Sequence, residues 1–554
     1  MMVTMSFRNV KTERCDVLIV GGGGAGLRAA IEARQRGVTV TVVSKSRVGY
    51  GNNTYISKGT FAAATGWRDS RDNPDAHLRD SIIGGRFIND QRLLRMVTQK
   101  AVDQIEFLQG CGVRFSEWGD KIRVVRTPGH SYPRHVRSQD RSGRDFMIPL
   151  RAHAERIGVR LMDRVFITRL ASSGGRIAGA IGITHDGTLL TLAANCIVLA
   201  TGGFARAYLH NNNAAGMTGD GHALAFELGV PLKDMEFIQF YPTALGALGS
   251  RLFLYEAFIF QAGAVLRNAR GDDIIAKYGL DDPMAMTRDR LTRAVMREIL
   301  EDRGIRGGVI VDLSTIPEEE LAPLHHLLPA AHMTGGKELV VSPTAHFCMG
   351  GISLDENAET IVPGLFAAGE VCAGVHGANR LGGNALTEAF ALGGVAGERA
   401  AQRARESGQP AVPEKEIVKE RQRLEALLSK KRGDLMGPRR DLQDLMWRKA
   451  GIIRDREGLE GTLKEIRGLT QSLRGIRVEN YRELIGYLEL EHMVLMGEMV
   501  CRTALLRNES RGAHYRSDYP EEDNDGWLKN ILIRRRGSEI SLEAVPVPMT
   551  TVRV

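Results

Sequence analysis

The short apolar run CDVLIV at 15–20 passes straight into GGGGAG at 21–26, and this junction constrains the fold more than any other part of the 554-residue chain. Such a run is the pattern of a buried strand. A helix-like stretch follows at 27–36, then Gly37 and a β-branched run at 38–43, so the spacing predicts a strand, turn, helix, strand unit. Gly21, Gly23 and Gly26 match G-x-G-x-x-G, in which the first glycine makes the tight turn, the second admits a pyrophosphate and the third lets helix and strand pack closely. Gly24 and Ala25 complete the turn. Free N–H groups and the dipole at the helix start favour phosphates there. The context points to a bound dinucleotide over a bare glycine-rich turn.

The second strand of the unit ends in Ser44-Lys45, where an NAD-binding unit has Asp or Glu for the ribose hydroxyl. NAD is therefore disfavoured. The buried-strand pattern NCIVLA at 195–200 runs into Thr201-Gly202-Gly203, and TGDG at 218–221 opens another apolar, helix-like segment. PGLFAAGE at 363–370 and HGANRLGGN at 376–384 set much glycine and alanine around Glu370, Arg380 and Asn384, a composition suited to backbone lying close to a flat ligand.

Taken together these motifs resemble the flavoprotein subunit of the succinate dehydrogenase and fumarate reductase family, which also contains L-aspartate oxidase, over roughly residues 15–525. The resemblance implies an α/β fold: a Rossmann-like FAD-binding domain, an inserted α+β capping domain and a C-terminal helical domain. It places the FAD domain at 12–232 and 343–404, the cap at 233–342, the helical domain at 416–525 and a tail at 526–554, a short strand or interface segment. Apolar residues recur at helical spacing in 417–428, 459–473 and 480–505, in keeping with a helical domain.

It also implies flavin-mediated interconversion of saturated and α,β-unsaturated carboxylates. Arg380 matches the family's carboxylate-binding arginine, His346 its histidine ligand and Arg288 its proton-transferring arginine. Arginine is a poor acid in general, with a pKa above about 12, but it suits a strongly basic developing carbanion. FAD contacts are implied for Ser44, Lys45, Asn53, Thr54, Gly59, Ala200, Thr201, Gly202, Asp220, Glu370, Asn384, Ala385 and Leu386, beside the glycine fingerprint.

Three departures matter. The cap motif QFHPT reads QFYPT at 239–243, so a substrate histidine has become Tyr241. The motif TEAxRGEGG reads YEAFIFQAG at 255–263, which puts Tyr255 at the substrate threonine and Ile259 at the relay arginine, with Glu256 kept as an acid/base partner of Arg288. Where covalent members carry S-H-T, the chain has Gly51-Asn52-Asn53-Thr54, and Asn cannot form the histidyl bond. FAD is therefore expected to be noncovalent, and the preferred substrate to have one carboxylate and a neutral, polar or aromatic far end. The alternatives are an enzyme like L-aspartate oxidase, or a flavin electron-transfer subunit whose own site has decayed.

The six cysteines form no C-x-x-C, so no iron–sulfur, zinc or c-type haem site is indicated and no metal is expected. Electrons would come from an iron–sulfur partner subunit. The net charge of +8 is spread among alternating acids and bases, with Arg534-Arg535-Arg536 a tight basic cluster. That is a solvated surface and excludes a nucleic-acid footprint. The first residues show no secretory h-region, and no apolar run approaches the roughly 18 residues that span a bilayer. A cytoplasmic protein that reaches a membrane only through a partner is expected.

Overall fold

The computed structural model describes residues 7, 9–119, 121–245, 263–280, 287–317, 319, 333–334, 337–428, 433–537 and 539–554. Tyr255, Glu256 and Ile259 lie outside the described residues.

The expected first strand forms as Asn9–Val20, in the interior of a seven-stranded sheet. Val40–Ser44 pairs with it in parallel on one side and Thr188–Leu199 on the other. Arg160–Asp163 extends the sheet past Val40–Ser44, and Arg176–Thr184 and Val165–Ser173 continue it antiparallel beyond Thr188–Leu199. Leu365–Ala367 also pairs in parallel with Thr188–Leu199, which brings the motif at 363–370 beside the first glycine turn. Val17, Leu18 and Ile19 are fully buried, as an apolar run covered on both faces requires.

Gly21 takes φ +119, and a Cβ there would overlap the Ala200 carbonyl. A Cβ at Gly26 would strike the Gly21 carbonyl, the close helix-to-strand approach expected of the third glycine. The helix Gly24–Gln35 then crosses Asn384–Arg405 at small residues: a Cβ at Gly393 would come within 2.7 Å of the Ala25 carbonyl oxygen. The two motif-bearing helices can thus touch backbone to backbone.

Against this layer stands a five-stranded sheet in which Ile238–Leu245 pairs antiparallel with Glu338–Cys348. Its register slips between Gln239 and Phe240, which face Phe347 and Ala345, so His346 is the extra residue of a bulge. The helix Arg288–Leu300 packs on this sheet, Thr292 donating to the Phe240 carbonyl at 3.2 Å.

Four helices follow, Glu414–Leu427, Met436–Lys449, Arg456–Gly475 and Tyr481–Leu506. The segment after them is tied down by fully buried arginines, and the tail forms a hairpin of Lys529–Arg536 and Glu539–Pro546. Its first strand pairs with Leu232–Lys233, which also pairs with Gly351–Ile352.

Candidate active site

One cleft of about 500 Å³ runs from the glycine fingerprint to the bulge at His346. Its walls include Gly21, Gly23, Gly24, Ala25, Ser44, Lys45, Asn53, Thr54, Ala200, Thr201, Gly202, Asp220, Glu370, Ala385 and Leu386 at the dinucleotide side, and Tyr241, Arg288, His346 and Arg380 at the other. Residues from widely separated stretches of sequence therefore face one space. Gly26, Gly59 and Asn384 do not line it. Gly26 is buried in the helix-to-strand contact, and Gly59 packs on Ser138 and Ser142 at φ +59. The Asn384 amide donates to Ser81 Oγ at 2.9 Å and contacts His77 Nε2 at 2.9 Å.

The dinucleotide end fits FAD. A Cβ on Gly23 would have nothing nearer than 3.8 Å, so its missing side chain leaves open cleft beside the helix start. Gly23 offers that start no side-chain cap; the Gly24 N–H donates to Thr54 Oγ1 at 3.2 Å, and the next first-turn N–H groups are suited to a pyrophosphate. Thr201 Oγ1, also in the wall, is buried without a hydrogen-bond partner. Lys45 Nζ is committed to Asp220 at 2.6 Å, Glu489 at 2.8 Å and Thr218 Oγ1 at 2.7 Å, fastening the long C-terminal helix to the cleft wall. The Asn53 amide donates to Asn213 Oδ1 at 2.6 Å and Glu370 Oε2 at 3.1 Å. Burial pushes Glu370 up to about 7, against the opposing hydrogen bonds from the Cys348 N–H and Asn53.

At the other end a glutamine sets the geometry. Gln239 Oε1 accepts from Arg380 Nη2 at 2.8 Å and from Arg288 Nη1 at 3.3 Å, while its amide donates to the Arg380 carbonyl at 2.8 Å. Two guanidiniums are thereby held over one neutral oxygen. Arg380 lies over the Phe347 ring at 4.7 Å and Arg288 over the Tyr241 ring at 4.7 Å. The Tyr241 and His346 rings meet edge to face at 5.3 Å. His346 Nδ1 contacts Asn212 Oδ1 at 3.1 Å, and burial, then Arg380 and Arg288, hold its pKa well below the usual range. The imidazole is neutral between two cations, which makes this corner suited to an anion.

Sequence reading found both arginines and the histidine from their motifs. It quoted Gln239 without a role, and the signal available was period-two spacing, which puts Gln239 and Tyr241 on one strand face. It missed His130 and His135, which stand behind the Arg380 loop. The six cysteines are all free and buried. Among the described residues no group of His, Cys, Asp and Glu could hold a metal, and no helix is long and apolar enough to cross a membrane.

The FAD binding domain family model matches residues 16–386, and the fumarate reductase flavoprotein C-terminal model matches 439–554. With the cleft described, these define an FAD-binding oxidoreductase. The chain is 36% identical to one subunit of the fumarate reductase (CoM/CoB) of Methanothermobacter marburgensis, covering 94% of this chain and 97% of that one. It is 31% identical to the Escherichia coli fumarate reductase flavoprotein subunit, over 98% and 95%. The solved E. coli quinol fumarate reductase FrdA superposes with a TM-score of 0.90 at 30% identity, covering 98% of each chain. Mycobacterium smegmatis Sdh1 does so at 0.86 with 32% identity, over 98% and 96%. The chain belongs to the succinate dehydrogenase and fumarate reductase flavoprotein family, FAD-dependent oxidoreductases acting on CH–CH bonds.

Proposed function

We propose that this chain reduces the double bond of a small α,β-unsaturated carboxylate, with FAD held noncovalently and electrons supplied by an iron–sulfur partner subunit. The observation that carries the reading is the pair Arg288 and Arg380, converging on Gln239 beside a neutral His346 at the end of the dinucleotide cleft. Bound FAD would supply the hydride. Arg380 and His346 clamp the carboxylate, and the planar guanidinium fork stabilises charge that develops next to it. Arg288 gives the proton to the neighbouring carbon, its direction fixed by Gln239 and by the Tyr241 face. A decayed, purely electron-carrying site sits poorly with this retained alignment.

Noncovalent attachment is supported by Asn53, whose amide is engaged with Glu370 and Asn213. Acid precipitation should release free FAD, and flavin retained by the washed pellet counts against it. The iron–sulfur partner is supported by relatives named as subunits. It should copurify from source cells. Full turnover of a lone homo-oligomer on NADH or oxygen would exclude it.

Substrate choice turns on Tyr241. This phenol is fully buried in the wall and brings no positive charge where the family motif has histidine. A second carboxylate there would be desolvated with weak compensation. Reduced-viologen assays on fumarate, acrylate, crotonate and cinnamate test both levels of the reading. No activity on any of them sinks the reductase, whereas a specificity constant for fumarate well above every monocarboxylate sinks only the one-carboxylate preference. In that comparison Tyr241→His should shift selectivity towards fumarate.

A further inference from the structure

Behind the clamp lies a buried polar cluster that the chemistry above does not use. Gly382 and Gly383 follow Arg380-Leu381 directly, and a pair of glycines is the backbone least able to hold a loop in one conformation. Yet the Gly382 carbonyl meets two imidazoles, His130 Nε2 at 2.9 Å and His135 Nε2 at 2.8 Å. Both rings are buried. Arg134 Nη1 lies 3.4 Å from His130 Nδ1, so Nδ1 accepts and Nε2 carries the proton that goes to Gly382. Arg134 is itself fixed, fully buried, by Asp72 at 2.8 Å and Asp80 at 2.9 Å. His135 Nε2 faces an oxygen that can only accept, so it too donates, with Thr127 Oγ1 at 2.9 Å alongside. Burial, with Arg134 for the one ring and its neighbour His130 for the other, keeps both histidines neutral.

The glycines are what allow this contact. A Cβ on Gly383 would come within 2.7 Å of His135 Nε2, and one on Gly382 within 3.3 Å of His135 Cε1 and 3.9 Å of Arg288 Nη2. The same peptide is thus gripped by two imidazoles and lies close to Arg288 as well. His77, at 2.9 Å from Asn384 Oδ1, fixes the start of the helix into which the loop runs.

We propose that His130 and His135 are positioning residues for the carboxylate clamp: their paired donation to the Gly382 carbonyl fixes the glycine loop that presents Arg380. They touch no substrate and act through the loop. The inference rests on the clamp proposed above, and on the expectation that a loosened loop costs binding before it costs chemistry.

The test uses FAD-loaded protein with fumarate and crotonate as probes, measuring KM and kcat under reduced viologen, and Kd from the flavin absorbance change. His130→Phe and His135→Phe each remove one donor at similar volume, and each should raise KM and Kd about tenfold, the worth of a hydrogen bond to a fixed partner. FAD affinity should hold and kcat should change by less than about threefold. His135→Gln, which keeps an N–H donor, should recover most of the loss. Gly382→Ala is an independent probe with an ordinary backbone angle, because its methyl group presses on the His135 ring; it should also raise KM. Unchanged KM in both Phe variants and in Gly382→Ala overturns the inference, as does a Gln variant no better than Phe. Wild-type protein that neither binds nor reduces either probe removes the clamp itself, and the inference with it.

Discussion

Arg288 is the residue on which the chemistry turns, and its surroundings say how. Gln239 holds one of its nitrogens at 3.3 Å and Tyr241 lies beneath its plane at 4.7 Å, so the fork is aimed while it remains charged. Arg288→Ala should leave FAD bound and slow enoate reduction by about 10²- to 10⁴-fold, the usual worth of a positioned acid. Turnover within about twofold of wild type on the best substrate would put the proton donor elsewhere. His346 makes a different prediction. Burial and two guanidiniums hold it neutral, and a bound carboxylate supplies the negative charge that lifts its pKa, so binding should take up a proton. Carboxylate affinity should then tighten as pH falls from about 8 to 6, a window in which Glu370 in the same cleft also takes up a proton and acts in the same direction. A Kd that is flat in calorimetric titrations across that range would show that His346 stays neutral in the complex. Arg288, Arg380 and His346 could be read from the sequence because each sits in a short motif with neighbours to vouch for it. His130 and His135 could not, since their shared partner, the Gly382 carbonyl, is about 250 positions away and leaves no local pattern.

Among the elements, the first strand–helix–strand unit was legible because its glycines answer to local backbone contacts, Gly21 with Ala200 and Gly26 with Gly21. The C-terminal helices were legible from apolar periodicity. The hairpin of the tail was not read at its full length. Its residues are largely half-buried or exposed, and what fixes it is distant: Asp234 accepts from the Ile531 N–H at 2.8 Å and the Asn530 amide at 2.6 Å. The segment between helices and hairpin depends on charge. Arg507 is fully buried and donates to Glu236 at 2.7 Å, Glu509 at 2.9 Å and the Lys529 carbonyl at 2.8 Å. It ties the strand region before the cap motif to the chain's end. Arg507→Met would strand the buried Glu236 carboxylate, leaving Glu509 to Arg511 alone, and should cost about 3–5 kcal/mol in denaturant unfolding. Arg535→Met on the exposed part of the hairpin should stay within about 0.5 kcal/mol. Equal effects of the two would mean that the buried network contributes nothing specific.

At the scale of the whole molecule, burial of histidines decides how the protein meets acid. Burial pushes His77 down to about 3 and His222 to about 4, and holds His130, His135, His346 and His514 well below the usual range. Each such ring is neutral when folded and takes a proton at about pH 6.5 when unfolded. Its contribution to stability is complete above that value and is lost as pH falls towards the folded pKa. Buried carboxylates work in the opposite sense. Glu370 and Asp234 are raised to about 7 and Asp72 to about 6, so the folded state holds protons that the unfolded chain, with carboxylates near 4, releases. Those three gain stability as pH drops through the same window. The histidines outnumber them, and each uncompensated proton is worth about 1.4 kcal/mol per pH unit. Melting temperature should therefore fall steadily as pH is lowered from about 6.5 to 4.5, and level off above about 7. Scanning calorimetry of the FAD-loaded protein at constant ionic strength reads this directly. Replacing His222, which is fully buried beside the Gly350 backbone and stands outside the clamp, by Gln should flatten the slope by roughly one proton's share. A melting temperature that rises on acidification would mean that the carboxylates, and not the histidines, dominate the proton balance of folding.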